Sequence, residues 1–398
     1  MAEIFFDANS IKKELIYHRR NLHKIAEKGF ELTKTVEYIW NALAEIGCKP
    51  NRCGNNGIYT VIGNIKSDEC VLLRADMDAL PIKEETDLDF KSNENMHACG
   101  HDMHSAMLIG AARILKMREN ELIRPVKLLF QPAEETLQGA KNMIDNGILE
   151  NPKVTAAFMI HVIVNTPMKT GRIIVGSGGV GAPATEYFEI EVVGKGCHGA
   201  IPNSGVDPII AASNIVSALD AIKTRELSLY DNSVLTIGSV SSGTAYNVIP
   251  DRAIIKGSFR SFDMGIQAKI KKSVIRISQN ISKAYNCTSE INFPTGCPCL
   301  INNNSLSKKV FDALSGELDE QFVIGVDEIN SESKIEQRSA GSEDFSYISQ
   351  KIPSLMLALS AGSSEDGFCY PLHHPKVLFD ENCLVFGTAA FALIGLKL

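Results

Sequence analysis

The densest set of chemically capable side chains in the sequence is Met96-His97-Ala98-Cys99-Gly100-His101-Asp102-Met103-His104, with three histidines, a thiol and a carboxylate in eight positions. Imidazole and thiolate are the usual ligands of zinc and similar borderline metals, and a Cys-x-His pair in a loop can aim both donors at one point. Three protein ligands and one open position would make a catalytic site. The plainer alternative is a polar loop before a helix beginning near Met103, with Asp102 as the cap and the histidines exposed. Against it stands the scarcity of these residue types, ten cysteines and nine histidines in 398 residues.

A second element, Lys127 to Glu135, reads as a strand that delivers Glu134 and Glu135 just past its carboxyl end. In open α/β sheets that edge is where ligands bind. Adjacent carboxylates cannot both stay freely ionised unless something positive lies between them, and a metal meets that need while leaving one acid as a base. A solvated acidic turn opening a helix at Leu137 is the alternative, since Glu is favourable at a helix N-terminus. Arg74 to Pro81 ends another strand with Asp76 and Asp78, spaced so that both could point one way. One of them could orient a metal-bound histidine, or Asp78 could simply form a turn before Pro81. His161 closes the apolar run Ala156 to Ile160, and His373-His374-Pro375 follows Tyr370. A lone histidine at a strand end is ordinarily structural; five separated elements that all end in metal-compatible residues are harder to explain so.

These residues need elements to position them. Apolar residues at helical spacing (Ile11, Leu15, Ile16, Leu22, Ile25) predict a helix over Ser10 to Lys28, and a second runs from Thr33 to Ile46 with Gly47 ending it. Apolar runs at Ile58 to Ile62, Val71 to Ala75, Val126 to Phe130 and Ala156 to Ile160 predict strands separated by helical intervals, the pattern of an α/β sheet flanked by helices. From Thr185 to Phe293 the order is strand (Tyr187 to Val193), helix, two strands (Val234 to Val240 and Ala253 to Phe259), helix (Met264 to Tyr285) and strand (Thr288 to Phe293). That is the ferredoxin-like β-α-β-β-α-β arrangement. Its first helix has a clear start, with Asp207 as cap and Pro208 at the first helical position. The expected layout is a catalytic α/β domain over residues 1–184 and 296–398, interrupted by an inserted domain over 185–295. Ser354 to Leu359 is the last strand and Glu381 to Leu393 the last helix.

The bulk properties agree with a small-molecule enzyme. A chain of 398 residues exceeds the usual reach of one hydrophobic core, and 44% hydrophobic with 22% charged residues is ordinary for a folded protein. Net charge is −7 with scattered basic residues, so no nucleic-acid partner is expected. Ten cysteines without regular spacing or a secretory leader fit a reducing cytoplasm better than a disulfide framework. No window is apolar enough to span a bilayer, so no membrane partner is expected either.

The combination RADMDALPI (74–82), MHACGHDMH (96–104), QPAEE (131–135), His161, GKGCHGAIP (194–202), AYNVIPD (245–251), GSFRSFD (257–263), GSEDFSYI (341–348) and LHHP (372–375) resembles the amidohydrolase branch of the co-catalytic dinuclear metallopeptidases over nearly the whole chain. That branch includes hippurate hydrolases, N-acetyldiaminopimelate deacetylases, aminoacylases and auxin-conjugate hydrolases. The resemblance implies a metallopeptidase-like catalytic domain with a mixed sheet, and a lid that also mediates homodimer contacts. It implies two divalent metal ions per subunit (zinc, manganese, nickel or cobalt) on Cys99, His101, Glu135, His161 and His373. Glu134 falls at the position of the general base, and Asp76 or Asp78 at that of the orienting acid. His198, Asn247, Arg260, Gly341 and Ser342 match substrate-binding positions, with Arg260 suited to pair with an amino-acid carboxylate. The implied reaction is hydrolysis of the amide bond of an N-acyl amino acid or a related small conjugate.

Two stretches depart from the family's usual wording: Thr136-Leu137-Gln138, where many members carry glycines, and Val162 to Pro167 after His161. Both bear on substrate class. A dipeptidase or carboxypeptidase using the same metals stays open, as does a thiol hydrolase with Cys99 as nucleophile and His101 or His104 as base. A binding protein that keeps the fold without the reaction would lack a ligand or the base, and none is missing.

Overall fold

The apolar runs around Leu73, Leu128 and Phe158 become the centre of a sheet because both of its faces are covered. Such strands are buried on both sides and read as continuous hydrophobic stretches. The computed structural model describes residues 3–63, 67–327 and 341–398. The chain divides into two units, Met1–Gly181 with Ile301–Arg338 and Asp344–Leu398, and Ala182–Leu300 with Ser339–Glu343.

In the first unit eight strands form one mixed sheet: β1 Asn51–Cys53, β2 Gly57–Ile62, β3 Glu69–Asp76, β4 Val126–Gln131, β5 Lys153–Ile163, β6 Ile173–Val175, β7 Val323–Gly325 and β8 Ser354–Ser360. Their spatial order is β1-β2-β4-β3-β5-β8-β6-β7. The four central strands β4, β3, β5 and β8 are mutually parallel, so their carboxyl ends share one edge. Asp76, Gln131 and His161 stand at or near that edge. Helices His101–Met117 and Cys383–Lys397 pack together beside the sheet and are buried on nearly every side.

Element boundaries depart from expectation where local rules compete. The first helix begins earlier, at Glu3–Ser10, because Ile4 and Ala8 also reach the core; the chain breaks at Ile11 and resumes as Lys12–Lys24. Helix Thr33–Glu45 ends where expected, with Gly47 in the left-handed region at φ 87°. The last helix runs Cys383–Lys397, later at both ends than the apolar pattern suggests.

The second unit has strands Ala184–Val193, Ser233–Ser242, Arg252–Ser261 and Thr288–Asn292 with helices Pro208–Ala221 and Met264–Ala284. The chain order is strand, helix, strand, strand, helix, strand. All strand pairings are antiparallel, Arg252–Ser261 and Ala184–Val193 lie centrally, and Ser233–Ser242 forms an edge. Phe188, Ile190, Ile215, Leu219, Ile255, Phe259, Ile270 and Val274 make its separate core. Asp207 caps the first helix by accepting from the Ile209 amide at 2.8 Å, with Pro208 at the first helical position.

Candidate metal centre

Gly100 turns the chain between Cys99 and His101. It sits at φ 84°, and a Cβ there would lie 2.4 Å from Val162 Cγ2, so neither the conformation nor the space admits a side chain. The helix therefore starts at His101, two residues before the expected Met103. The His101 ring is oriented by backbone: Nδ1–H donates to the Asp78 carbonyl at 2.8 Å. Its Nε2 is buried without a protein hydrogen-bond partner and lies 3.9 Å from both Glu134 Oε2 and Glu135 Oε1.

The acidic pair emerges from β4 through a strained turn. Ala133 and Leu137 flank it with left-handed backbones at φ 56° and 57°. A helix cannot start at such a residue, so the next helix begins at Gly139 and not at Leu137, where the solvated-turn alternative would open it. The amides of Glu134 and Glu135 donate to the two carboxylate oxygens of Asp78 at 3.0 and 3.3 Å. Asp78 thus holds His101 with its carbonyl and the acidic pair with its side chain. Both acids are shielded, Glu134 at 5% exposure, which rules out a solvated acidic turn.

His161 lies two residues before the end of the central strand β5, where its Nδ1–H donates to the Val162 carbonyl at 2.7 Å and its Nε2 stands 3.6 Å from Cys99 Sγ. His373 sits on a left-handed backbone at φ 67°, its amide tied to the Ala98 carbonyl at 2.9 Å. Its Nε2 is 3.3 Å from Cys99 Sγ and 3.6 Å from Glu135 Oε1. Two donor triads result, Cys99–His101–His161 and Cys99–Glu135–His373, with the thiol common to both and the donor atoms of each triad within 4.8 Å of one another.

Asp76, His101 and His104 also cluster, but His104 is already committed. Its Nδ1–H donates to Asp76 Oδ1 at 2.6 Å and its Nε2 accepts from the Val162 amide at 2.8 Å. The other Asp76 oxygen accepts from Arg74 at 2.8 Å, and Arg74 also donates to Gln131 at 3.0 Å and Asp344 at 2.9 Å. Asp76 therefore orients His104 and not the Nδ1 of a donor histidine. Asp102 is no exposed cap: it is fully buried, ion-paired to Arg19 at 2.9 Å and bonded to His23 at 2.8 Å. His97 is buried with its ring centroid 6.1 Å from that of His23.

The electrostatics fit divalent metal ions. Burial and the charge of Glu135 raise the Cys99 thiol far above its ordinary value, the reverse of an activated nucleophile. Burial, with Asp78 and Asp76 nearby, pushes Glu135 up to about 7 although His101 opposes it. Burial lowers His161 to about 3 and also lowers His373, so both imidazoles are neutral donors. Burial works against a charged His101, yet the Asp76 carboxylate holds it well above the usual range. Two buried polar atoms at the site, His101 Nε2 and Glu135 Oε1, have no hydrogen-bond partner, and a cation coordinated there would satisfy both.

Residues 72–396 match the Peptidase family M20/M25/M40. The N-acetyl-L-cysteine deacetylase of Bacillus subtilis is 32% identical over 95% of this chain and 86% of its own length. Thermostable carboxypeptidase 1 of Saccharolobus solfataricus is 34% identical over 98% of this chain and 97% of its own. The chain belongs to the M20/M25/M40 peptidase family. A crystal structure of a Bacillus subtilis dinuclear metal-binding peptidase of the M20 family superposes with a TM-score of 0.77 at 29% identity, covering 98% of each chain. Membership sets the reaction class: this M20/M25/M40 protein is a metal-dependent hydrolase of amide bonds.

The remaining residues singled out in this M20/M25/M40 chain lie in its second unit. His198 is exposed on the short strand Cys197–His198, paired with Val248, and the Gly199 amide donates to the Asn247 carbonyl at 2.8 Å, so His198 and Asn247 are neighbours. Arg260 donates to Ser342 Oγ at 3.1 Å, next to Gly341. Arg74, Gln131 and Asp344 were missed as parts of the buried network around Asp76. Only Arg74, two residues before Asp76 and so on the same face of a strand, carried a usable signal.

Proposed function

We propose that the chain hydrolyses the amide bond of N-acyl amino acids or closely related small conjugates, with two divalent metal ions per subunit held by Cys99, His101 and His161 and by Cys99, Glu135 and His373. The observation that carries the reading is the single buried thiol common to two donor triads, with Glu134 beside them and outside both. Zinc, manganese, nickel and cobalt all suit mixed thiolate, imidazole and carboxylate donors. Bound there, the pair supplies Lewis acidity toward the scissile carbonyl and makes water nucleophilic near neutral pH.

The chain's own groups do the rest. Glu134, fixed through its amide by Asp78, takes the proton of the attacking water and returns it to the departing amine nitrogen, so one carboxylate serves both halves of the reaction. The Asp78 carbonyl keeps the His101 proton on Nδ1 and its Nε2 a donor. Within the second unit, Arg260 with Ser342 beside it is suited to pair with a carboxylate, and His198, Asn247 and Gly341 keep the substrate-binding roles that the family resemblance implies. The edge strand Ser233–Ser242, with Val234 and Val240 exposed on it, supports a homodimer formed through the second unit. The ten cysteines, all free, support a cytoplasmic setting. Among the described residues no helix is long and apolar enough to cross a membrane.

The deacetylase and the carboxypeptidase among the relatives frame the test. Protein stripped of metal and reloaded with each of the four metals is assayed on N-acetyl amino acids, N-benzoyl amino acids and free-amine dipeptides. Turnover of the acylated compounds, absent without metal, is expected. Preference for free-amine dipeptides would replace the reading with a dipeptidase, and full activity without metal would overturn it.

A further inference from the structure

The strand that carries His161 outruns its neighbour. β3 pairs with β5 only as far as Arg74 opposite Met159, whereas β8 follows β5 on the other side to Ile163. The Val162 amide lies three residues past that last pair, out of reach of a β3 acceptor, and a buried N–H without an acceptor is costly. The Val162 amide meets His104 Nε2 instead, at 2.8 Å.

That contact fixes the state of the ring. An amide N–H only donates, so Nε2 carries the lone pair and the imidazole proton sits on Nδ1, 2.6 Å from Asp76 Oδ1. Asp76 is held in turn by Arg74, and Arg74, Asp76, His104 and Val162 are all fully buried. The Val162 carbonyl accepts the His161 Nδ1–H at 2.7 Å, which turns His161 Nε2 toward Cys99. Val162 is thus fastened through its N–H and carries the His161 ring on its C=O.

We propose that His104 is a positioning residue for the Cys99–His101–His161 triad: its side chain ends the sheet in place of a strand and so sets the aim of His161. The inference rests on reading the five donors as metal ligands. It distinguishes the two triads, because Glu135 and His373 are held by other contacts, through Asp78 and Ala98.

Reach separates this role from general packing. In His104→Gln the side-chain oxygen can occupy the place of Nε2 and accept from Val162; in His104→Asn it is too short; His104→Phe fills the space without an acceptor. Each protein is titrated with manganese by equilibrium dialysis, with bound metal counted by elemental analysis, and exchange of the Val162 amide is followed in the metal-free form. Wild type is expected to bind two ions. His104→Asn and His104→Phe should keep one ion at wild-type affinity and hold the second about 10- to 100-fold more weakly, with faster Val162 exchange, while His104→Gln stays close to wild type in both. Unchanged affinity for both ions in His104→Asn, equal weakening of both, or a His104→Gln as impaired as His104→Asn would overturn the inference. The Asn and Gln pair decides it even if the Phe variant does not fold. A wild type that binds fewer than two ions would instead bring down the ligand reading, and this inference with it.

Discussion

Glu134 and Glu135 are equally distant from His101 Nε2, at 3.9 Å, and Asp78 holds the amides of both. What separates them is His373, 3.6 Å from Glu135, and membership of a donor triad with Cys99, which Glu134 lacks. Glu134→Gln should therefore lower turnover by about a hundred- to ten-thousand-fold, the span of general acid–base contributions, with metal content close to wild type. Glu135→Gln should lose metal as well as turnover. Elemental analysis beside initial rates checks both, and near-normal turnover in Glu134→Gln would remove it as the base. The donors could be picked out from the sequence because thiol, imidazole and paired carboxylate are scarce types with few other uses. The work of Asp78 and His104 could not, since it runs through backbone groups of Asp78 and Val162, and no residue type announces which carbonyl or amide it will meet. For that reason the choice between Asp76 and Asp78 as the orienting acid had to wait for the fold: one aspartate orients His104, the other the acidic pair.

At the level of elements, the turn that presents these acids is held by two residues ill suited to it. Left-handed backbone at a non-glycine residue costs on the order of 1–2 kcal/mol, and both Ala133 and Leu137 bear that cost. The two should respond differently to glycine. Leu137 is buried at 7% exposure, and losing a buried leucine side chain costs about 2–5 kcal/mol, more than the strain relieved. Leu137→Gly should thus destabilise by roughly 1–3 kcal/mol on balance of those terms. Ala133→Gly loses almost no side chain and relieves the strain of about 1–2 kcal/mol, against about 0.4–1 kcal/mol of added unfolded-chain entropy, so it should be neutral to slightly stabilising. Urea unfolding measures both, and metal content should hold in each because Asp78, not the turn, carries the two amides. A stabilised Leu137→Gly would mean the side chain packs to no benefit. The same turn disposes of the alternative in which a helix opens at Leu137: glutamates are favourable at a helix N-terminus, and only the left-handed backbone shows that the helix must wait for Gly139. Strands were easier to place, since β4 and the centre of β5 are buried on both faces and read as unbroken apolar runs.

Across the molecule, stability depends on a charged network that joins distant parts of the chain behind the metal loop. His23 places Nδ1 2.8 Å from Asp102 Oδ2 and Nε2 3.1 Å from Glu84 Oε2, while Arg19 lies 2.9 Å from Asp102 and 3.2 Å from Glu381. Facing a carboxylate at each nitrogen, the ring makes both bonds only when doubly protonated. Burial opposes that charge, yet the bonds to Asp102 and Glu84 raise His23 above its ordinary value. Burial likewise opposes the two acids, but the Arg19 and His23 charges hold Asp102 well below the carboxylate range, and the His23 bond lowers Glu84. The signs then differ by group. The acids contribute stability above their unfolded values near pH 4 and lose it as pH falls through their depressed folded values. His23 contributes fully below its unfolded value near pH 6.5 and loses its share as pH rises through its raised folded value. Removing one member of a buried charged group costs about 3 kcal/mol, so His23→Gln should be less stable than wild type by about that much at pH 6. As pH rises through the raised folded value the wild-type ring gives up its second proton, one carboxylate bond weakens, and the difference should narrow. Thermal melts of both proteins from pH 5 to 9, with chelator present to remove any contribution from bound metal, measure it directly. A gap that stays constant over that range would show that neutral His23 braces the network as well as the charged ring does.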